Sequence, residues 1–209
     1  MTHSLGIRQA QKQKTHRALL EAGLLLMKDQ SLSSVSLREV TRVVGVVPAS
    51  FYRHFHDMAD LGVALVEECL GRLHVMVRAL LAERRRDEGR IDGTVDAVLR
   101  HVRAYPAHVR FIARERYGGV QAVREAIAEE LRGVADEVAA AFASELAPDG
   151  WREDDVRMFA ELYVDHMVLT ATALLETPPG SEAERQVVDT AHRQLRLITL
   201  GRRHWRDRG

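Results

Sequence analysis

Phe51, Tyr52 and Phe55 fall within five residues of the stretch VPASFYRHFHD (47–57), in a chain of 209 residues with only five Phe, four Tyr and two Trp. Arg53, His54 and His56 stand among them, and Asp57 follows. Such a group could hold a metal, form a small packed core, or touch a polyanion. The metal reading is weak, because residues i and i+2 of a helix do not face one another, and no cysteine or second histidine pair supports His54-x-His56. Cys69 is the one cysteine, so no intrachain disulfide or cysteine metal site is expected, and it reads as packed core. The chain has no G-x-S-x-G, phosphate-binding loop, dinucleotide fingerprint or H-E-x-x-H. No catalytic residue, metal or cofactor is therefore assigned, and the chain is not expected to be an enzyme.

The polyanion reading gains from charge. Net charge is +0, but residues 1–56 hold eight Lys or Arg (Arg8, Lys12, Lys14, Arg17, Lys28, Arg38, Arg42, Arg53) against Glu21, Asp29 and Glu39. That end carries +5 and the remainder carries −5. A basic end on an acidic body points to a polyanion partner at that end. Residues 48–55 placed on a helix, at about 100° per residue, separate by role. Pro48, Phe51 and Phe55 make an inward stripe. Ala49, Ser50 and Arg53 face away, and Tyr52 and His54 lie on the two shoulders. Arg can bind guanine through two hydrogen bonds, and Ala can touch a thymine methyl. Tyr52 and His54 are placed to reach phosphates on either wall of a groove. Pro48, Lys14 and Arg38 complete the candidate DNA contacts.

The elements that must position these residues are helical throughout, since no alternating strand pattern is bounded by turn residues. Helix 1 is expected over about 8–28, with Leu19, Ala22 and Leu26 on one face, and SLSS breaks it. Ser36 and Glu39 form a capping box for SLREVTRVV, whose inward residues are Leu37, Val40 and Val44. Gly45 ends that helix. Pro48 suits the first turn of the next, 48–55. Asp57 caps a long helix expected to reach about Arg86. RRRDEGR breaks the chain near 85–90. Further helices are expected over about 94–104, 106–116, 120–146, 152–176 and 182–204, with turns at Pro148-Asp149-Gly150 and Thr177-Pro178-Pro179-Gly180. Helix, Gly-containing turn and second helix form a helix-turn-helix, whose second helix enters the major groove. The expected domains are 1–56 for DNA binding and 57–209 for ligand binding and dimerisation.

RALLEAG followed by SLREVTRVVGVVPASFYRHFHDMADL resembles the N-terminal domain of TetR-type repressors. Gly45, Tyr52, His54, Phe55 and Asp57 carry the resemblance. Met58 departs from it: many members have a phosphate-contacting Lys there, and that contact is not expected here. GIRQAQKQKTHRALLEAG, SLREV with PASFYRHF, RFIARERYGG and LRLITLGRRHWR are further similar to the FabR/DesT-type repressors of unsaturated fatty-acid synthesis. The resemblance implies an all-α, TetR-like repressor that binds palindromic double-stranded DNA and senses long-chain acyl-CoA or a similar lipophilic molecule.

The body of the chain can be read for such a ligand. In helix 106–116, Val109, Ile112, Ala113 and Arg116 share one stripe and Phe111 lies opposite, as in a central helix. A buried Arg116 needs a partner, with Asp165, Glu161 or a ligand's polar end as candidates. Helix 152–176 is apolar on most sides. Val102, Phe111, Ile112, Arg116, Phe159, Leu162, Tyr163, His166 and Met167 are the candidate ligand residues. In the last helix Val187 lies with Val188, Ala191, Leu195 and Ile198, and the last four are the candidate dimer face. A short reading helix spans few base pairs, so a two-fold homodimer on a palindrome is expected. No apolar run reaches the roughly 18 residues of a membrane span, and the polar N-terminus is no secretory signal. A bacterial cytoplasmic protein on the nucleoid is expected. Alternatives are a repressor of an efflux pump answering a lipophilic drug, a non-specific architectural DNA protein, and a helical lipid-binding module without specific DNA binding.

Overall fold

The structure, a computed structural model, describes residues 2–83, 87–146 and 150–205. The chain is all-helical there: α1 Thr2–Leu26, α2 Leu37–Val44, α3 Pro48–Phe51, α4 Met58–Ala82, α5 Asp87–Ala104, α6 Pro106–Glu115, α7 Gln121–Leu146, α8 Glu153–Leu175 and α9 Glu182–His204. A short 3₁₀ turn, Leu32–Ser34, sits where SLSS breaks the first helix. The expected helix end at Arg86 and the turn residues Pro148 and Asp149 lie outside the described residues. Two expected boundaries move. α1 begins at Thr2 rather than near 8, and α5 begins at Asp87 rather than near 94.

Local chemistry explains the ends. Ser36 Oγ accepts from Glu39 N, and the Glu39 carboxylate accepts from Ser36 N at 2.8 Å, closing the capping box of α2. Gly45 ends α2 with φ 75°, a left-handed conformation that costs glycine little. Asp57 Oδ1 accepts from Asp60 N at 2.8 Å at the start of α4, and Asp60 Oδ2 accepts from His56 N at 2.8 Å.

By compactness the chain divides into two units. The first is Met1–Cys69 with Arg110–Ile127, and the second is Leu70–Val109 with Ala128–Gly209. A boundary at residue 56 follows charge, whereas the compact first unit also takes the start of α4 and residues 110–127. The division falls inside α4, α6 and α7. The first unit buries Leu19, Leu32, Val40, Phe51, Leu61, Leu65, Phe111 and Ile127. Each such side chain contributes about 1.5–3 kcal/mol on leaving water. Cys69 is buried too.

In the second unit α5, α8 and α9 pack on one another. Val98, Val102 and Leu174 form one buried cluster, with Val109, Met167, Val187 and Val188 partly buried around it. Phe142, Phe159 and Tyr163 form another: the Phe142 and Phe159 rings meet edge-on at 5.4 Å, and the Arg90 guanidinium lies 4.6 Å from the Phe142 ring centre. α8 is long and apolar enough, at a mean hydropathy of 1.3, to cross a bilayer by length and composition. It carries Glu161 and Asp165 within that length, and it packs on α5 and α9.

Candidate functional site

The segment that gathers the aromatic and basic residues starts at Val47, extended at ψ 150°, with Pro48 at the head of α3. Proline has no N–H to waste at that position and its φ is already helical. The helix expected over 48–55 is one α-turn, Pro48–Phe51, followed by a tighter turn. Arg53 N donates to Ser50 O at 3.3 Å and His54 N to Phe51 O at 2.8 Å, and Phe55 N still reaches Phe51 O at 3.0 Å. The side chains keep the spacing of a helix. Phe51 and Phe55 are buried with ring centres 5.5 Å apart. Pro48, Ala49 and Arg53 are exposed, and Ser50 and His54 half-buried. Pro48, expected on the inward stripe, is thus outside the core, because it lies at the first turn where nothing packs over it. Tyr52 is 63% exposed although its ring meets Phe51 edge-on. Lys14 and Arg38 are also exposed.

His16 of α1 stacks on Phe55 at 4.8 Å and 27° between planes, and its ring centre lies 5.8 Å from that of His54. Burial first, and then the charges of His16, Lys12 and Arg53, hold His54 below the ordinary histidine value of 6.5. Sequence reasoning passed over His16. The signal was present: it lies one turn after Lys12 on the face of α1 that reaches Leu19 and Leu20.

Two further residues were missed, Arg114 and Glu115 at the end of α6. Arg114 donates to the carbonyls of Met27 (2.9 Å), Gln30 (2.7 Å) and Lys28 (3.3 Å), all just beyond α1. Glu115 is 1% exposed, and its Oε1 accepts from Leu32 N at 3.0 Å. Its Oε2 is buried with no hydrogen-bond partner among the described residues. A Cβ at Gly118 would overlap that oxygen, so Gly118 is more than a helix stop. The expected buried charge, Arg116, is half-buried, with its guanidinium 5.7 Å from the Tyr117 ring centre. Asp165 and Glu161 are exposed. The fully buried charge of α6 is one residue earlier, because the apolar stripe turns Glu115 and not Arg116 inward.

The candidate ligand residues divide between the units. Phe111, Ile112 and Arg116 are in the first, and Val102, Phe159, Leu162, Tyr163, His166 and Met167 are in the second. Val102 and Met167 share the Val98 cluster. Phe159 and Tyr163 share the aromatic one, where Tyr163 Oη donates to Thr94 Oγ1 at 2.9 Å and burial pushes the phenol up. Burial pushes His166 down, and its Nε2 is buried without a hydrogen bond. Leu162 faces outward, 52% exposed. The stripe assigned to dimer contact is spent within the chain: Ala191 and Leu195 are buried, and Val188 packs on the Val98 cluster. Ile198 is half-buried. Among the described residues of these helices, the uncovered large apolar side chains are Met158 (44%), Leu162 and Leu169 (64%) on α8 and Leu197 (70%) and Leu200 (45%) on α9.

Residues 19–65 match the family described as bacterial regulatory proteins, tetR family. Three solved structures share the fold. The regulator FadR from Bacillus subtilis, in complex with stearoyl-CoA, has a TM-score of 0.71 at 14% identity, over 88% of this chain and 98% of that one. The fatty acid degradation regulator FadR from Bacillus halodurans has a TM-score of 0.69 at 15% identity, over 86% of this chain and 93% of that one. AibR, in complex with isovaleryl coenzyme A and operator DNA, has a TM-score of 0.65 at 18% identity, over 86% of this chain and 96% of that one.

Proposed function

Taking the chain as a TetR-family DNA-binding regulator, we propose that it is a homodimeric repressor that reads a palindromic operator with Ala49, Ser50 and Arg53 and answers to long-chain acyl-CoA. The observation that carries the DNA half is the division of residues 48–55. Phe51 and Phe55 are buried, so the segment is rigidly held, while Ala49, Tyr52 and Arg53 are left exposed on it. A side chain held on a packed segment loses little freedom when it meets a base edge. Arg53 serves direct readout, and Tyr52, His54, Lys14 and Arg38 serve phosphates.

Two lines support the effector. Solved regulators of the same fold were captured with stearoyl-CoA and isovaleryl coenzyme A. RFIARERYGG and LRLITLGRRHWR are similar to the repressors of unsaturated fatty-acid synthesis, which makes desaturation or unsaturated-chain synthesis genes the proposed targets. Val102, Phe111, Ile112, Phe159, Tyr163, His166 and Met167 are the proposed acyl-chain residues, with Arg116 for a polar end. The response is a population shift: an acyl chain favours one of two arrangements of the reading heads, and α4, which has residues in both units, is the proposed lever. The outward apolar residues of α8 and α9 form the proposed dimer contact, and the proposed place of action is the bacterial cytoplasm, on the nucleoid.

The deciding experiment selects duplexes from random-sequence DNA with the full chain and then titrates the winner with oleoyl-CoA and palmitoyl-CoA. A recovered palindrome whose affinity changes with either thioester supports the whole reading. If neither changes it, acyl-CoA sensing is wrong and DNA binding stands. If no sequence is enriched, the repressor reading itself fails.

A further inference from the structure

We infer that Lys12 and His16 of α1 join Arg53 and His54 in one phosphate-binding patch, and that this patch takes up a proton when it engages DNA. The inference rests on the DNA-binding reading and adds a partner chemistry and a regulation to it.

The geometry comes first. α1 is helical from Thr2, and its residues 9–14 are exposed, so this segment extends past the part packed in the domain core. Lys12 lies one turn before His16 on the same side of α1. His16 is fixed by its stack on Phe55, which is itself buried, and its ring centre lies 5.8 Å from that of His54. Arg53, next to His54, is exposed. Two helical segments thus bring four cationic or protonatable side chains together.

Among the described residues, no carboxylate pairs with these four side chains. In the first turn of α4, Asp57 accepts from Asp60 N and Asp60 accepts from His56 N. On α2, which packs on α3, Glu39 is bound to Ser36 N and Ser36 Oγ, and the other charges are the exposed cations Arg38 and Arg42. Glu21 of α1 follows His16 by five residues and is turned well away from it around the helix. Asp57, Asp60 and Glu39 are engaged in caps, Glu21 is turned away, and His16, Lys12 and Arg53 act together on His54. An assembly of this kind lacks an anion, and the double helix supplies one at regular spacing.

The proton follows from the same crowding. Burial and the neighbouring cations favour neutral His54 in the free protein. A phosphate beside it favours the imidazolium. The complex therefore holds more protons than the free partners, and affinity rises as pH falls. The rise begins where His54 of the complex starts to protonate and stops below the lowered value of the free protein, where both forms are charged. Each proton taken up changes affinity by at most about tenfold per pH unit. One more ionic contact also steepens the salt dependence by about one unit of log K per log salt at low pH.

The test uses the full chain, a duplex it has selected from random-sequence DNA, and a scrambled duplex of the same composition. Affinity is measured from about pH 8 to about pH 6 at constant ionic strength, the range in which histidine titrates. The expected result is tightening of severalfold or more on both duplexes, since phosphate contacts carry no sequence. His54→Gln should be pH-independent and weak. His54→Arg should be pH-independent and tight even at the alkaline end, which a merely structural histidine would not give. Lys12→Gln should weaken binding at every pH and lower the salt slope. Preference for the selected duplex with no pH dependence in the wild type overturns the inference and leaves the DNA reading intact, as does a full pH slope surviving in His54→Gln. Equal binding of the two duplexes at every pH overturns the operator-reading repressor and leaves a non-specific DNA-binding protein.

Discussion

Single side chains carry the sharpest tests. Arg53 is exposed on a segment anchored by Phe51 and Phe55, so Arg53→Ala should leave the fold intact. It should cost about 1–3 kcal/mol of operator affinity and relax the preference at one base position, checked by competition with single-base variants of the selected duplex. Glu115 and Gly118 make a coupled pair. Glu115→Ala strands Leu32 N–H inside the first unit and should cost about 1–3 kcal/mol in a denaturant melt. Gly118→Ala should cost a similar amount, about 1–3 kcal/mol, by displacing the buried carboxylate. In the double variant the carboxylate, which makes the tightest contact with the added methyl, is gone, so the two costs should not add in full. Additive costs would mean that Gly118 serves backbone conformation instead. Glu137 gives a pH test. The Arg78 guanidinium, bonded at 2.7 Å, holds its carboxyl below the ordinary 4.5, with His74 adding to the effect. A depressed carboxyl lends stability above its unfolded value and loses it as pH falls through the folded one. Stability should therefore decline on acidification below about 4.5, and Glu137→Gln should decline less steeply there, read from thermal melts across that range.

At the scale of elements, what was legible is what local chemistry decides. Ser36 with Glu39, Gly45, Pro48, Asp57 and Pro106 each fix a helix end through a cap or a fixed dihedral within a few residues. The end of the first helix and the body helices from 106 onward followed from periodicity and glycine–proline punctuation. The misplaced start of α5 has a local cause. A run of charges was read as a break, but charge alone does not stop a helix, and α5 begins inside that run, at Asp87. Residues 2–7 are helical too, ahead of the basic run that opens at Arg8. The clamp of α6 on the end of α1 was not legible. Arg114 and Glu115 look like ordinary solvated charges until residues 27–32, more than eighty positions earlier, are brought beside them. The clamp makes its own prediction. One guanidinium serves three carbonyls, a geometry that a lysine ammonium does not reproduce. Arg114→Lys should lose about 1–3 kcal/mol of stability by thermal melt, nearly as much as Arg114→Met. Full retention in the lysine variant would mean that charge alone holds the end of α1.

For the whole molecule the open quantity is the coupling between a second copy, an effector and DNA. Which stripe of α9 meets its own chain and which is left outside could not be read from periodicity, because both are apolar at helical spacing. The structure assigns Ala191 and Leu195 to the chain's own core and leaves Leu169 and Leu197 uncovered. Introduced charge distinguishes the two sets. Leu169→Glu with Leu197→Glu should keep helicity and sediment as a monomer, whereas Leu195→Glu should unfold the second unit, since an unpaired charge in a packed core costs several kcal/mol. The monomeric variant also loses operator affinity steeply, because one reading head alone contacts half a palindrome. If the double variant remains a dimer, the outward face of α8 and α9 is not the interface. A dimer that passes this test permits the stronger one. Should oleoyl-CoA change operator affinity by a given factor, the operator must change oleoyl-CoA affinity by the same factor, because the two form a closed cycle. Coupling of this kind is typically about 1–3 kcal/mol, or roughly 5- to 150-fold. Measured from both sides by calorimetry with the selected duplex, equal factors place effector and DNA on one pair of conformations. Unequal factors would show the thioester binding DNA or forming micelles, and acyl-CoA sensing would then have no support from the titration.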